Sequence, residues 1–267
     1  MSLRRAAFVT GGGSGIGRAS ALALARRGMD VVIADINDGA AAHVAAEVAE
    51  LGAAALAVRC DVTGEASVRA AMDETEARFG RLDVLVNSAG VDLHKELADI
   101  CLDDWHRVLD INVTGSFLCM KFARRLMLLN GYGRMICLGS SSGIFGMGWP
   151  AYSAAKAALV GLALSAAREL APLGVTVNVV APGPTETPLS LDLWSRNPGR
   201  RERLESTVPV GRVARPEEIA SAIAYLASDE AEFVTGSTLV IDGGLTSLMR
   251  PTSPPSQAQP TLQNQTP

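Results

Sequence analysis

The feature that most restricts the fold is an alternation of period along the chain. Short runs dense in Val, Ile and Ala occur at Ala6 to Thr10, Val31 to Asp35, Ala55 to Cys60, Val84 to Asn87, Arg134 to Leu138, Val175 to Val180 and Thr238 to Ile241. Longer Ala- and Leu-rich stretches, with charges at helical spacing, fill the gaps between them. Strand-length apolar runs broken by helix-length amphipathic segments mark βαβ units, whose crossovers make the strands parallel, so an α/β fold is expected. Gly28 and Gly52 stand where a helix end needs a residue tolerant of positive φ before the next strand.

Length and composition bound the rest. A chain of 267 residues with 48% hydrophobic and 19% charged residues suits one globular domain over residues 1–250. After Met249 the sequence turns to PTSPPSQAQPTLQNQTP, which lacks the apolar periodicity that offsets ordering entropy. Residues 251–267 are therefore read as a disordered Pro/Gln-rich tail. A net charge of −4, with basic residues only in pairs such as Arg26-Arg27 and Arg124-Arg125, argues against a nucleic-acid partner. Cys60, Cys101, Cys119 and Cys137 have neither disulfide nor metal-ligand spacing, so no metal is expected. Residues Met1 to Arg5 lead straight into an apolar strand without a signal segment, and no apolar run has spanning length. The expectation is a cytoplasmic protein with no membrane partner.

Between the first strand and the first helix lies Gly11-Gly12-Gly13-Ser14-Gly15-Ile16-Gly17. A glycine turn alone is only a tight turn; at a strand–helix junction it also lets a pyrophosphate approach the backbone and the free N–H groups of the helix start. The second strand ends in Asp35, eighteen residues after Gly17, where a carboxylate can accept from an adenosine ribose. Such a carboxylate repels a 2′-phosphate, which favours NAD over NADP. Arg18, the nearest cation, is read as a solvent-facing or structural residue because it opens the helix rather than flanking the ribose position.

Read as TGGGSGIG, the loop resembles that of the short-chain dehydrogenase/reductase family, and further landmarks follow in the family's order. Asp61-Val62 looks like its adenine-contacting pair. Asn87-Ser88-Ala89-Gly90 resembles its NNAG segment, with Ser88 departing from the usual second Asn. Then come Asn112, the run Ser140-Ser141-Ser142, Tyr152-x-x-x-Lys156, and Pro182-Gly183 with Thr185 and Thr187. The likeness spans about residues 5–245. It implies a Rossmann fold, a doubly wound parallel sheet of about seven strands with helices on both faces. It also implies cofactor contacts from Gly11, Ser14, Gly15, Ile16, Gly17, Asp35, Asp61, Val62, Asn87, Ala89, Gly90, Tyr152, Lys156, Pro182, Gly183, Thr185 and Thr187.

Four apart on a helix, Tyr152 and Lys156 share one face, though that spacing by itself describes many ordinary surface pairs. Bringing a phenol from a pKa of about 10 to neutrality takes roughly 4 kcal/mol of preferential phenolate stabilisation. A neighbouring ammonium and an oxidised nicotinamide ring would share that task, leaving Tyr152 to take or give the substrate proton. By resemblance, Lys156 also holds the nicotinamide ribose, Asn112 supports a water relay, and a serine orients the substrate oxygen. Ser140 matches that serine best: twelve residues separate it from Tyr152, where the commoner thirteen would fall on Gly139, and Gly143 then aligns with the family's glycine. Ser141 and Ser142 are the alternatives.

The substrate walls are expected from Asp92, His94, Ile144, Phe145, Trp149, Leu189, Leu191 and Trp194, while His43 and His106 are expected at the surface. Such a mixture suits a ring or acyl chain and equally a polyol. The stretch from about Ala151 to Ala171 is apolar nearly all round, so one side is expected to cover the sheet and the other to meet a partner, as in the homotetramers common in the family. The reading is an NAD-dependent oxidoreductase acting on a secondary alcohol or ketone such as a sugar, polyol, hydroxyacyl or steroid-like compound. A 3-oxoacyl-(acyl-carrier-protein) reductase is the alternative, set back by Asp35 because that role usually uses NADPH. A catalytically silent NAD-binding sensor would predict damage at Asn112, Ser140, Tyr152 or Lys156, and all four are intact.

Overall fold

A computed structural model describes residues 4–146 and 148–247. The tail assigned to residues 251–267 lies outside them. The chain opens with β1 (Ala6–Thr10), α1 (Gly15–Arg26), β2 (Asp30–Asp35), α2 (Asp38–Glu50), β3 (Ala55–Arg59), α3 (Glu65–Phe79) and β4 (Val84–Asn87). It continues through α4 (Leu102–Leu109), α5 (Gly115–Asn130), β5 (Gly133–Leu138), α6 (Ser141–Phe145) and α7 (Pro150–Leu170). The last elements are β6 (Val175–Pro182), α8 (Pro188–Ser195), α9 (Arg200–Thr207), α10 (Pro216–Leu226) and β7 (Thr238–Ile241).

The seven strands form one sheet in the order β3-β2-β1-β4-β5-β6-β7. Every adjacent pair is parallel. Side chains alternate faces along each strand, so two cores result. On one face Phe8, Val32, Leu85, Met135 and Val177 pack under α3, α5 and α7; on the other Val9, Ile33, Val86 and Ile136 pack under α1, α2 and α10. The central strands β1, β4 and β6 are buried throughout, which is why they read as unbroken apolar runs rather than as alternating ones. Because β1 and β4 lie side by side, the winding direction reverses between them. A crevice therefore opens at their carboxyl ends, beyond Thr10 and Asn87.

Element boundaries shift from expectation by one or two residues at most. β3 ends at Arg59 rather than Cys60, and β6 runs on to Pro182. Gly28 and Gly52 do take positive φ at the ends of α1 and α2. Two features carry no strong sequence signal: a π-helical turn over Asp110–Thr114, and the pair α8–α9 folded from the variable stretch after Thr187. On α7, Ala151, Ala155, Leu159, Ala163 and Ala167 are buried, while Ala157, Ala158, Gly161 and Leu164 stay exposed. Among the described residues no helix is long and apolar enough to cross a membrane.

Candidate active site

The crevice is a cleft of about 1160 Å³. At one end the glycine loop folds back on itself so tightly that a Cβ on Gly17 would lie 2.0 Å from the Gly11 carbonyl oxygen. No side chain at that position is compatible with the turn. Ser14, at the start of α1, makes no side-chain cap, and Ser14, Gly15, Ile16 and Gly17 all line the cleft. The first-turn N–H groups of α1 thus remain available to an anion, helped by the helix dipole. Thr10 Oγ1 accepts from the N–H groups of Ser88 (3.0 Å) and Ala89 (3.1 Å), binding the loop strand to the segment after β4.

Asp35 sits at the tip of β2 with its carboxylate already ordered. Oδ2 accepts from Gly13 N and Oδ1 from Asn37 N, both at 2.9 Å, and the carboxylate borders the cleft beside Ile36, Asp61 and Val62. Among the described residues no cation is paired with it: Arg18 is turned onto Glu47, with Nε 2.7 Å from Oε2, and Arg59, opposite Asp35 in the sheet, donates to the Ile36 carbonyl and pairs with Asp38. A pyrophosphate-sized opening at an uncapped helix, followed by an acidic ribose acceptor, fits a dinucleotide.

At the other end α7 brings Tyr152 and Lys156 to the cleft one turn apart. Lys156 is only 4% exposed; its Nζ donates to the Leu138 carbonyl at 2.8 Å and stands 5.5 Å from the centre of the Tyr152 ring. Burial lowers the Lys156 pKa to about 8. Burial raises the Tyr152 phenol above its usual range, the Asp92 carboxylate adds to that, and a hydrogen bond with the Ser140 side chain pulls the other way. In the polypeptide alone the phenol is thus not drawn toward neutrality, because burial and the Asp92 carboxylate outweigh the effect of Ser140.

Among the three serines, Ser140 is the one whose side chain acts on the Tyr152 phenol, lowering its pKa against the effect of burial. Its Oγ also accepts from Ser142 N at 3.1 Å, which holds it at the start of α6. Gly139 is excluded as a hydroxyl position by space: a Cβ there would already lie 2.6 Å from Val179 Cγ1. Asn112 lies in the π-helical turn, where its Nδ2 donates to Val91 O and Val108 O, each at 2.9 Å. Its Oδ1 is buried with no partner among the described residues. A Cβ placed on Gly90 would come within 2.6 Å of that oxygen and 3.4 Å of Lys156 Nζ, so the two groups converge on one spot. Single π-turns of this kind often occur at functional sites.

Most of the residues singled out from sequence meet in this cleft: Gly11, Asp61, Val62, Ala89, Gly90, Pro182, Gly183, Thr185 and Thr187 line it with those already named. Asn87 does not. It is buried, its Nδ2 donating to Ser116 O at 3.4 Å and to Cys137 Sγ at 3.7 Å, while its Oδ1 has no partner among the described residues. Of the expected walls, Asp92, His94, Trp149, Leu189 and Trp194 face the cleft, whereas Ile144, Phe145 and Leu191 are absent from its lining and exposed. The short α6 and α8 turn those three outward, which no local pattern reveals. His94 lies with Nε2 3.0 Å from Asp92 Oδ2 and its ring edge-on to Trp149. Arg200, Leu204 and Leu245 join the walls without any motif to announce them.

A doubly wound sheet, a glycine loop at its switch point and a Ser–Tyr–Lys cluster facing that loop define a nicotinamide-dependent oxidoreductase. The family model described as enoyl-(acyl carrier protein) reductase matches residues 11–246. The cis-4-hydroxycyclohexanecarboxylate dehydrogenase of Sinomonas cyclohexanicum is 46% identical over 246 residues, 91% of this chain and 97% of that protein. A 3-oxoacyl-(acyl-carrier-protein) reductase of Synechocystis is 42% identical over 90% of this chain and 96% of its own length. The crystal structure of a short-chain type dehydrogenase/reductase from Mycobacterium marinum superposes with a TM-score of 0.87 at 38% identity, covering 92% of this chain and 97% of that one. The chain belongs to the short-chain dehydrogenase/reductase family. It is an oxidoreductase that transfers a hydride between a nicotinamide cofactor and an alcohol or ketone.

Proposed function

We propose that the protein is an NAD-dependent dehydrogenase of a ring-borne secondary alcohol, working also as reductase of the matching ketone, with Tyr152 as the proton-transferring residue. The observation that carries this reading is the convergence of Ser140, Tyr152 and Lys156 on the cleft that also holds the glycine loop and Asp35. The walls Trp149, Leu189 and Trp194 suit a compact apolar ring, and a relative named for a hydroxycyclohexane substrate supports that class.

The glycine loop and Asp35 would hold the dinucleotide, with Asp61 and Val62 on the adenine side and Pro182, Gly183, Thr185 and Thr187 on the nicotinamide side. When bound, the nicotinamide ring exchanges a hydride with the substrate carbon and, in its oxidised form, adds positive charge to the cleft. The side chains do the rest. Ser140 Oγ orients the substrate oxygen, and Tyr152 Oη gives it a proton in reduction or takes one in oxidation. The raised phenol pKa means that the resting polypeptide holds the proton-donating form. Lys156 holds the ribose and, with a water bridging to Asn112 Oδ1, returns protons toward solvent. NAD is preferred because Asp35 accepts a ribose hydroxyl and repels a phosphate at the same position. The exposed apolar face of α7 supports assembly as a homotetramer.

The test is absorbance at the reduced-nicotinamide band with cyclic secondary alcohols, NAD and NADP in parallel. Tyr152→Phe is expected to lose about 10²- to 10⁴-fold in turnover while still binding cofactor. Undiminished turnover in that variant refutes the assignment. Reduction of a 3-oxoacyl group carried on a protein is the second reading, favoured by the Synechocystis relative. A marked preference for NADP together with an acyl substrate would establish it instead.

A further inference from the structure

The segment that closes the cleft from α8 to α9 carries four arginines between residues 196 and 203, and their partners differ. Arg196 pairs with Asp192 at 2.9 Å. Arg201 reaches Glu186 at 2.7 Å and Glu205 at 3.0 Å, and its guanidinium covers the ring of Trp194. Arg203 is exposed to solvent. Arg200 alone of the four lines the cleft, and its Nε is buried without a hydrogen-bond partner among the described residues. A buried guanidinium N–H with no acceptor is uncommon in a folded protein and expects one to arrive.

Among the described residues none of the four carboxylates that line the cleft is bonded to Arg200: Asp61 accepts from the backbone N–H and the hydroxyl of Thr63, and Asp110 from the Thr114 hydroxyl. Asp92 is held by His94. Asp35 is engaged by the backbone of Gly13 and Asn37 at the other end of the cleft. One turn along α9 stands Leu204, and Leu193 and Trp194 of α8 line the same cleft. A planar, permanently charged fork set against apolar walls is suited to a carboxylate on a hydrophobic body. We infer that Arg200 is a specificity residue that receives the carboxylate of the substrate, so that the enzyme selects cyclic hydroxy- or oxo-acids over uncharged cyclic alcohols. This rests on the reading of the cleft as the substrate pocket of an alcohol/ketone oxidoreductase. A phosphate of the dinucleotide offers the same anionic chemistry, but the uncapped start of α1 and Thr187, whose side chain packs against Gly15, already provide for it.

The experiment reads binding, so that it stands apart from turnover. The protein is saturated with whichever reduced nicotinamide dinucleotide binds it more tightly. It is then titrated calorimetrically with cyclohexanecarboxylate and with uncharged cyclohexanecarboxamide, neither of which carries a hydroxyl to oxidise. The wild type is expected to bind the acid at least about tenfold more tightly than the amide, Arg200→Gln to lose that preference, and Arg200→Lys to keep part of it. The inference is overturned by equal binding of the two ligands, by no binding of the acid up to about 10 mM, or by a preference that survives Arg200→Gln. It is equally overturned if Arg200→Gln weakens the dinucleotide instead, since the guanidinium then serves a cofactor phosphate. Failure of the hydride-transfer reading would appear separately, as turnover that persists in Tyr152→Phe.

Discussion

Gly143 packs directly on the backbone of Lys156: a Cβ at position 143 would lie 2.5 Å from the Lys156 carbonyl carbon and 2.6 Å from Ala157 N. This contact seats α6 on α7 and so brings Ser140 against Tyr152. Gly143→Ala must push the two helices apart, and overpacking of this kind costs about 1–3 kcal/mol. Turnover is expected to fall by at least about tenfold as Ser140 withdraws, because catalytic geometry tolerates little displacement. Steady-state kinetics beside a denaturant titration will show it, and an unimpaired variant would mean that α6 does not position the serine.

Asp35 should decide the cofactor. Replacing it with Ser removes the negative charge that faces the ribose and also releases the Gly13 and Asn37 N–H groups it holds at 2.9 Å. The ratio of kcat/KM with NAD to that with NADP is expected to fall at least about tenfold in Asp35→Ser, a change of roughly 1.4 kcal/mol. An unchanged ratio would place cofactor choice elsewhere.

Lys156 predicts how the stability of the cofactor-free protein depends on pH. Its pKa is about 8 in the folded protein against a usual value near 10.4. Below pH 8 both folded and unfolded chains carry the proton, and the folded chain bears the full cost of burying it. Between pH 8 and about 10.4 the unfolded chain binds more protons, so the contribution of this residue to stability rises with pH, by roughly 1 kcal/mol per unit. Tyr152, with its pKa raised, opposes this only once an unfolded tyrosine ionises, near pH 10. Urea titrations of wild type and Lys156→Met from pH 7 to about 9.5 should show that the wild type gains on the variant above pH 8. Parallel profiles would show that Lys156 does not titrate in this range.

The outer face of α7 is expected to be an interface between subunits. Leu164 is 51% exposed there, one turn beyond Gly161 and about two turns beyond the small residues Ala157 and Ala158 that would let a second helix approach closely. Leu164→Glu should lower the mass measured by light scattering from a tetramer to a smaller species. A wild type that is already monomeric would remove the basis for the assignment.

Much of this was legible in the chain because the relevant forces are local. Strands β1, β4 and β6 are buried on both faces and appear as continuous apolar runs, and the glycine loop declares itself because Gly17 leaves no room for a Cβ against Gly11. The Tyr152–Lys156 spacing follows from helix geometry alone. Sequence by itself thus determined the sheet, its switch-point loop, and the places of Asp35 and of the Tyr152–Lys156 pair at the cleft. Tertiary structure alone decided what depends on contacts between distant segments. Asn87 sits among family landmarks, yet it is buried, with its Nδ2 donating to Ser116 and Cys137. Ser140 is set apart from its neighbours Ser141 and Ser142 by its influence on the Tyr152 phenol across the α6–α7 contact. Arg200 enters the cleft because α8 and α9 fold over it, and no periodicity in residues 188–207 encodes that closure. Periodicity reports whether a residue is buried; which groups it meets, and whether a neighbouring charge adds to desolvation as Asp92 does at Tyr152, depends on packing between elements far apart in the chain.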